Sequence, residues 1–286
     1  SPNIKKLNNI LADEIGIKFD NMQPEIFFSG NSLLSGSQPI AMAYAGHQFG
    51  NWVPQLGDGR AILLGEILDK KGLRRDIQLK GCGPTPFSRM GDGRAWLGPI
   101  LREYVLSEAM ENLGIPTTRA LAVVASDTPV QRETTETGAT LMRLAKSHLR
   151  IGHFEHFYHR HSHQHLREIA EFAIEQLDPE LSGAPDRMER AFTRYVERSA
   201  KLVAGWMAVG FVHGVMNTDN TALSGETLDY GPYGFVMAYR QDYVINHTDR
   251  TGRYAFGQQP RVMHWNLSCL AETLTPFVDV ETLGQI

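Results

Sequence analysis

The sequence predicts an α+β chain of two lobes, a strand-rich first lobe over residues 1–150 and a mainly helical second lobe over 151–286. Three observations carry this expectation. Short apolar or alternating runs bounded by turn residues fill the first half, apolar residues recur at helical spacing in the second, and 286 residues suffice to bury a core within and between two lobes.

Taken in order, Ala61 to Ile67 is a short apolar run and reads as the first strand. Asp76 to Lys80 alternates, with Ile77 and Leu79 on one face and Gln78 and Lys80 on the other, so Lys80 leaves the strand opposite the core. A helix follows from Pro99, a favoured first-turn residue, with Leu101, Val105, Ala109 and Leu113 as its apolar stripe, Glu103 off that stripe and Gly114 as the C-terminal stop. Ala120 to Ser126 and Ala139 to Ala145 read as an antiparallel pair joined by the polar stretch around Asp127, Thr128 and Pro129. Beyond residue 150 one helical stripe runs through Leu166, Ile169, Ala173 and Leu177, and another through Phe192, Val196, Val203 and Met207.

Composition narrows the function classes. A net charge of -4 gives no diffuse cationic field of the kind that draws a protein to phosphate backbones, which weighs against a nucleic-acid partner. Two cysteines, Cys82 and Cys269, are too few for a disulfide scaffold and fit a reducing compartment. No run of about twenty apolar residues suggests a membrane partner, and Ser1 to Asp20 lacks a charged-then-apolar leader layout, so a cytoplasmic enzyme is expected. Since the chain opens on Ser1 and stops at Ile286 soon after a periodic segment, either end reads as a cut and the helical lobe as C-terminally truncated.

Several constellations could handle phosphate. Gly57-Asp-Gly-Arg60 and Gly91-Asp-Gly-Arg94 flank Lys80; their glycines admit close approach of backbone amides to phosphate oxygens, although Asp-Gly pairs also mark ordinary turns. A strand lysine and a glutamate in the next helix, here Lys80 and Glu103, form the arrangement with which protein kinases fix a cation against nucleotide phosphates. Arg143 and Arg150 lie seven apart and could reach anionic oxygens from one segment, or serve as salt-bridge partners. His213 to Asn220 followed by Asp229 supplies three hard oxygen donors suited to Mg²⁺, namely Asp219, Asn220 and Asp229. Their order matches the kinase catalytic Asp, metal-binding Asn and second metal-binding Asp, with a compressed loop. The six histidines from His153 to His165 read as a solvated face, because no carboxylate or cysteine framework closes a metal site among them.

Read together, Gly57 to Arg60, Gln78 to Gly81, Ser88 to Ala95, Arg102-Glu103, Ser147-His148, His213 to Asn220, Asp229 to Phe235, Asn246-His247, Gly252 to Tyr254, Gln259-Pro260 and Trp265 to Leu267 closely resemble the selenoprotein O family. Pro84, Gly98-Pro99 and Met237 depart from that family's usual residues, none at an assigned position. The resemblance implies a protein-kinase-like fold that takes ATP and Mg²⁺ or Mn²⁺ and transfers AMP to Ser, Thr or Tyr hydroxyls of protein substrates, releasing pyrophosphate. Carried over by residue, it implies nucleotide contacts from Gly57, Gly59, Arg60, Lys80, Asp92, Gly93, Arg143 and Arg150, with Glu103 pairing Lys80. It further implies that Asn220 and Asp229 bind the metal and that Asp219 is the catalytic base. A conventional kinase transferring the γ-phosphoryl group, and a nucleotide-binding scaffold without turnover, are the competing readings of the same constellation.

Overall fold

The computed structural model describes residues 1–18 and 23–286, so the last two positions of the Ser1 to Asp20 segment lie outside the described residues. Two compact units emerge: Ser1–Ala43 with Leu56–Lys146, and Tyr44–Gln55 with Ser147–Ile286. The α+β class holds, with the first unit rich in strands and the second mainly helical. No helix among the described residues is long and apolar enough to cross a membrane.

The first unit opens with β1 (Asn3–Leu7), α1 (Asn9–Ile15) and α2 (Pro24–Phe28). Next in the chain come β2 (Ala43–Gln48) and β3 (Asn51–Gly57), which pair with each other. There follow β4 (Ala61–Leu68), β5 (Arg74–Lys80), the two-residue β6 (Ala95–Trp96), α3 (Leu97–Asn112), β7 (Arg119–Gln131) and β8 (Thr135–Ala145). Ala61 therefore begins the fourth strand rather than the first. The main sheet runs β1-β7-β8-β5-β4, antiparallel throughout, with β6 added to β8.

Both faces of this sheet are covered. On one, Ile77, Leu79, Met142 and Leu144 pack with Leu11, Phe27 and Phe28 of the first two helices. On the other, Ala139, Leu141 and Val123 meet Ile100 and Tyr104 of α3. The face that carries Gln78 and Lys80 is thus an interior one, and Gln78 is fully buried.

Two sequence expectations change here. On α3 the stripe through Val105 and Leu113 is exposed, and the buried face runs through Ile100, Glu103, Tyr104, Ser107 and Met110. Glu103 joins that face because strands β5 and β8 bring cations to it, a non-local reason that periodicity does not contain. The segment Asp127 to Pro129 is not the connection between β7 and β8; it lies within β7, at a register shift between Ser126 and Pro129, and the turn falls at 132–134. Gly114 does end α3: at φ +74 it takes the left-handed position, with Gly114 N bonding Glu111 O and Ile115 N bonding Met110 O.

In the second unit, α4 (Ile151–Tyr158), α5 (His163–Leu177), α6 (Arg187–Val209), α7 (Gln259–Leu274) and α8 (Val280–Gln285) enclose a core that includes Phe154, Leu166, Ile174, Phe192, Tyr195 and Leu270. A small pair, β9 (Phe211–Val212) and β10 (Gly234–Phe235), brackets the loop from His213 to Tyr233. The β2–β3 hairpin, as far as Gln55, belongs to this unit. Trp52 lies 4.1 Å from the His159 ring, and Arg160 donates to Pro54 O at 3.0 Å. Its turn is Phe49-Gly50, both residues at positive φ as a two-residue hairpin of the primed type requires. Phe49 has no glycine freedom, and Asn217 Oδ1 and Tyr254 Oη both lie within 3.1 Å of its backbone N.

Candidate active site

The first unit gathers a buried polar chain. Lys80 Nζ bonds Glu103 Oε2 at 2.6 Å, and Arg143 Nη1 bonds Glu103 Oε1 at 2.9 Å. Arg143 Nε donates to Gln78 Oε1 at 2.7 Å, and Gln78 Nε2 lies 3.4 Å from Asp58 Oδ2. Strand register explains the convergence, for Gln78 sits opposite Arg143, and Lys80 sits opposite Leu141 two residues along the same face. Glu103 thus takes a charge-assisted bond on each oxygen, the geometry a buried carboxylate needs to offset its desolvation. Gln78 and Asp58 lie within motifs the sequence offers but carry no role there; the alternation of Gln78 with Lys80 is the signal that points to the first of them.

The two glycine loops have local reasons for their glycines. A side chain at Gly57 would place its Cβ 2.3 Å from Phe87 Cγ, and one at Gly59 would meet Phe87 O at 2.9 Å. Thr85 Oγ1 donates to Asp58 O at 2.7 Å and Ser88 Oγ to Gly59 O at 2.5 Å, so the loop is braced from 85–88, while Arg60 itself is exposed. Gly93, at φ +63, lies so close to the next loop that a Cβ would sit 2.1 Å from Gly83 O. Gly93→Ala is accordingly expected to cost about 2 kcal/mol or more of stability by chemical denaturation, whereas Gly98→Ala, with no contact closer than 3.7 Å, stays near wild type. Asp92 is turned to other partners: it accepts from Arg94 N at 2.9 Å and from Arg132 at 2.9 and 3.0 Å, and the Arg132 hydrogen bond holds its carboxyl down at about 2.

Arg143 and Arg150 are both salt-bridge partners, Arg143 of Glu103 and Arg150 of Asp229. Arg143 belongs to the first unit, while Arg150 caps α4 in the second, donating to Asp219 O at 2.7 Å and Asp229 Oδ2 at 2.6 Å beneath the Tyr44 ring. Asp229 is held at φ +59, a left-handed conformation that aspartate tolerates better than most residues, and its carboxylate keeps about one-fifth exposure.

Asp219 sits in the short 3₁₀ turn Thr218–Asn220 and is almost fully buried. Its Oδ2 accepts from Gln48 Nε2 at 3.1 Å, while its Oδ1 has no hydrogen-bond partner. Burial outweighs the Gln48 bond and the nearby Arg150 charge, raising its pKa to about 6. The turn is fixed from several elements. His47 N donates to Thr218 Oγ1 at 2.8 Å, Tyr254 Oη donates to Asn217 Oδ1, and Asn266 Nδ2 of α7 donates to Met216 O at 3.0 Å. Gly46 and Gly152 let β2 come this close: a Cβ on Gly46 would lie 3.0 Å from Asp219 Oδ1, and one on Gly152 2.2 Å from Ala45 O. His213 is buried and neutral, with Nε2 donating to Leu228 O and Nδ1 accepting from Val215 N.

Asn220 Nδ2 donates to Val215 O at 3.1 Å, which commits the amide nitrogen and leaves the oxygen as the donor atom for a cation. With the part-exposed Asp229 carboxylate, this amide oxygen makes a donor set that suits a hard divalent ion. The histidine stretch is less uniform than a solvated face. His153 is buried, its Nδ1 accepts from Arg150 N at 3.0 Å, and burial depresses its pKa to about 3.

A family model described as protein adenylyltransferase SelO matches residues 2–286. Proteins named protein nucleotidyltransferase YdiU are similar along almost the whole chain. That of Rhizobium rhizogenes is 53% identical over 281 residues, 98% of this chain and 56% of the relative. That of Alkalilimnicola ehrlichii is 54% identical over 280 residues, covering 97% and 57%. The chain therefore spans a little over half the length of these curated relatives. Among solved structures, ROP2 from Toxoplasma gondii, described as a virulence factor with a protein-kinase fold and no enzymatic activity, covers 85% of this chain and 73% of its own at 10% identity. The TM-score of that match is 0.37.

Proposed function

Because the chain belongs to the SelO family, that of protein adenylyltransferase SelO, we propose that it carries the catalytic residues of a protein AMP-transferase acting on Ser, Thr or Tyr hydroxyls with ATP as donor. The observation that carries this reading is Asp219. A buried carboxylate with one oxygen bonded to Gln48 and the other unpartnered, raised toward neutrality, is a proton acceptor poised near the working pH.

In this reading Asp219 takes the proton of the attacking hydroxyl as its oxygen bonds to the α-phosphorus and the bond to pyrophosphate breaks. Asn220 and Asp229 would hold Mg²⁺ or Mn²⁺, which would supply positive charge against the phosphate oxygens. Arg150 bonds the Asp229 carboxylate and lends its own charge to the same place. Gly57, Gly59, Arg60, Asp92 and Gly93 contribute the loops, and Lys80 and Arg143, held by Glu103, the cations that fix the nucleotide. A lysine on a strand paired to a glutamate on the following helix is also how protein kinases hold ATP, which supports the kinase-like reading of the fold.

Labelled ATP tests the assignment. With Mg²⁺ present, label on the α-phosphate should become attached to protein and resist denaturing electrophoresis, while label on the γ-phosphate should leave with pyrophosphate. Attachment of γ-label alone would overturn AMP transfer in favour of phosphoryl transfer.

A further inference from the structure

One cluster in the second unit is not used by this chemistry. His47 on β2, Glu155 on α4 and Cys269 on α7 bring a ring nitrogen, a carboxylate oxygen and a thiol sulfur within 4.8 Å of one another. His47 Nδ1 bonds Glu155 Oε1 at 2.6 Å, whereas Glu155 Oε2, on a side chain with no solvent exposure, has no hydrogen-bond partner. A fully buried carboxylate oxygen left unpaired costs stability unless something positive completes it. The rings of Trp52 and Trp265 flank His47 at 5.0 and 5.2 Å, giving the cluster an aromatic wall.

We propose that His47, Glu155 and Cys269 form a binding site for a borderline divalent transition metal of the zinc class. Imidazole, carboxylate and thiolate are the donor types such an ion takes, and three protein ligands leave a fourth position for water. Ligands around one tetrahedral ion lie about 3.3–3.8 Å apart, so no pair in the group is more than about 1.5 Å too wide, and the His47–Glu155 pair at 2.6 Å opens slightly to admit the ion. Magnesium is excluded as the preferred occupant by the thiol, a poor partner for a hard ion. Burial and the Glu155 and Glu272 charges push the Cys269 thiol up to about 12, so the metal-free chain holds it as S–H, and coordination releases that proton to solvent.

The position matters because of what β2 does next. His47 N holds Thr218 Oγ1, and the following residue, Gln48, holds Asp219 Oδ2. A metal gripping the His47 ring would tie α4 and α7 to the strand that fixes the proposed base, and would brace it without touching any reacting atom.

Cobalt reports the site directly, since a thiolate bound to Co²⁺ gives a charge-transfer absorption that no other ligand type here produces. Chelator-treated protein titrated with Co²⁺ should develop this band, Zn²⁺ should abolish it and excess Mg²⁺ should not. Cys82→Ser should keep the band, and Cys269→Ser should lose it. His47→Gln and Glu155→Gln should weaken Co²⁺ binding by about tenfold or more, each with a circular dichroism spectrum matching wild type. Absence of the band in wild type, its survival in Cys269→Ser, or unchanged affinity in both the His47 and Glu155 variants would overturn the assignment. None of these readings depends on transfer activity.

Discussion

Replacing Asp219 by alanine is expected to lower AMP transfer about 10²–10⁴-fold, the usual worth of a positioned general base, while Mg-ATP still raises the melting temperature. The pH profile carries the sharper signature. Asp219 works ionised and is held at about 6 chiefly by burial, so kcat/KM should rise through that pH, level off above it and fall about tenfold per unit below. Arg150 and the Gln48 hydrogen bond pull the other way, and Asp229 adds slightly to the rise. Gln48→Leu removes the Gln48 bond and should move the acid limb to higher pH. A profile whose acid limb is the same in wild type and Gln48→Leu, or an Asp219→Ala variant of full activity, would remove Asp219 from the role.

The second large effect is expected at Glu103, and it falls on stability before activity. Its carboxylate bonds two cations, Lys80 and Arg143, the latter almost fully buried. Removing one partner from a buried ion pair costs about 3–5 kcal/mol, because the remaining charge keeps its desolvation penalty. Glu103→Ala should therefore unfold at markedly lower denaturant concentration and lose its thermal response to Mg-ATP. Glu103→Gln keeps an acceptor oxygen for one cation and should recover part of the stability. An alanine variant within about 1 kcal/mol of wild type would mean that solvent or other groups meet the charges, and that the triad is not a structural anchor.

How far the sequence was legible differs from one feature to the next. Lys80 and Glu103 could be paired by type and order because a strand lysine and a helix glutamate are local signals, and the fold brings them to 2.6 Å. The buried face of α3 could not be read locally. Val105 and Leu113 look like core by periodicity, but Glu103 occupies the interior because Lys80 and Arg143 arrive there from strands far along the chain. The β2–β3 hairpin was missed because its turn is Phe49-Gly50 rather than Asn-Gly, and the left-handed Phe49 is fixed by Asn217 and Tyr254, remote in sequence. With the hairpin went Gln48, the side chain that touches Asp219 most directly. Asp219, Asn220 and Asp229 were legible as a group of oxygen donors, but their unequal surroundings appear only in three dimensions.

The excursion of the chain through Tyr44–Gln55 makes the two units inseparable in a genetic sense. A cut near residue 146 would assign His47 and Gln48 to the fragment that does not use them, and would leave the other without the strand on which its 3₁₀ turn rests. Any split-protein or permutation design must keep that dozen-residue segment with the helical unit whose 3₁₀ turn it holds.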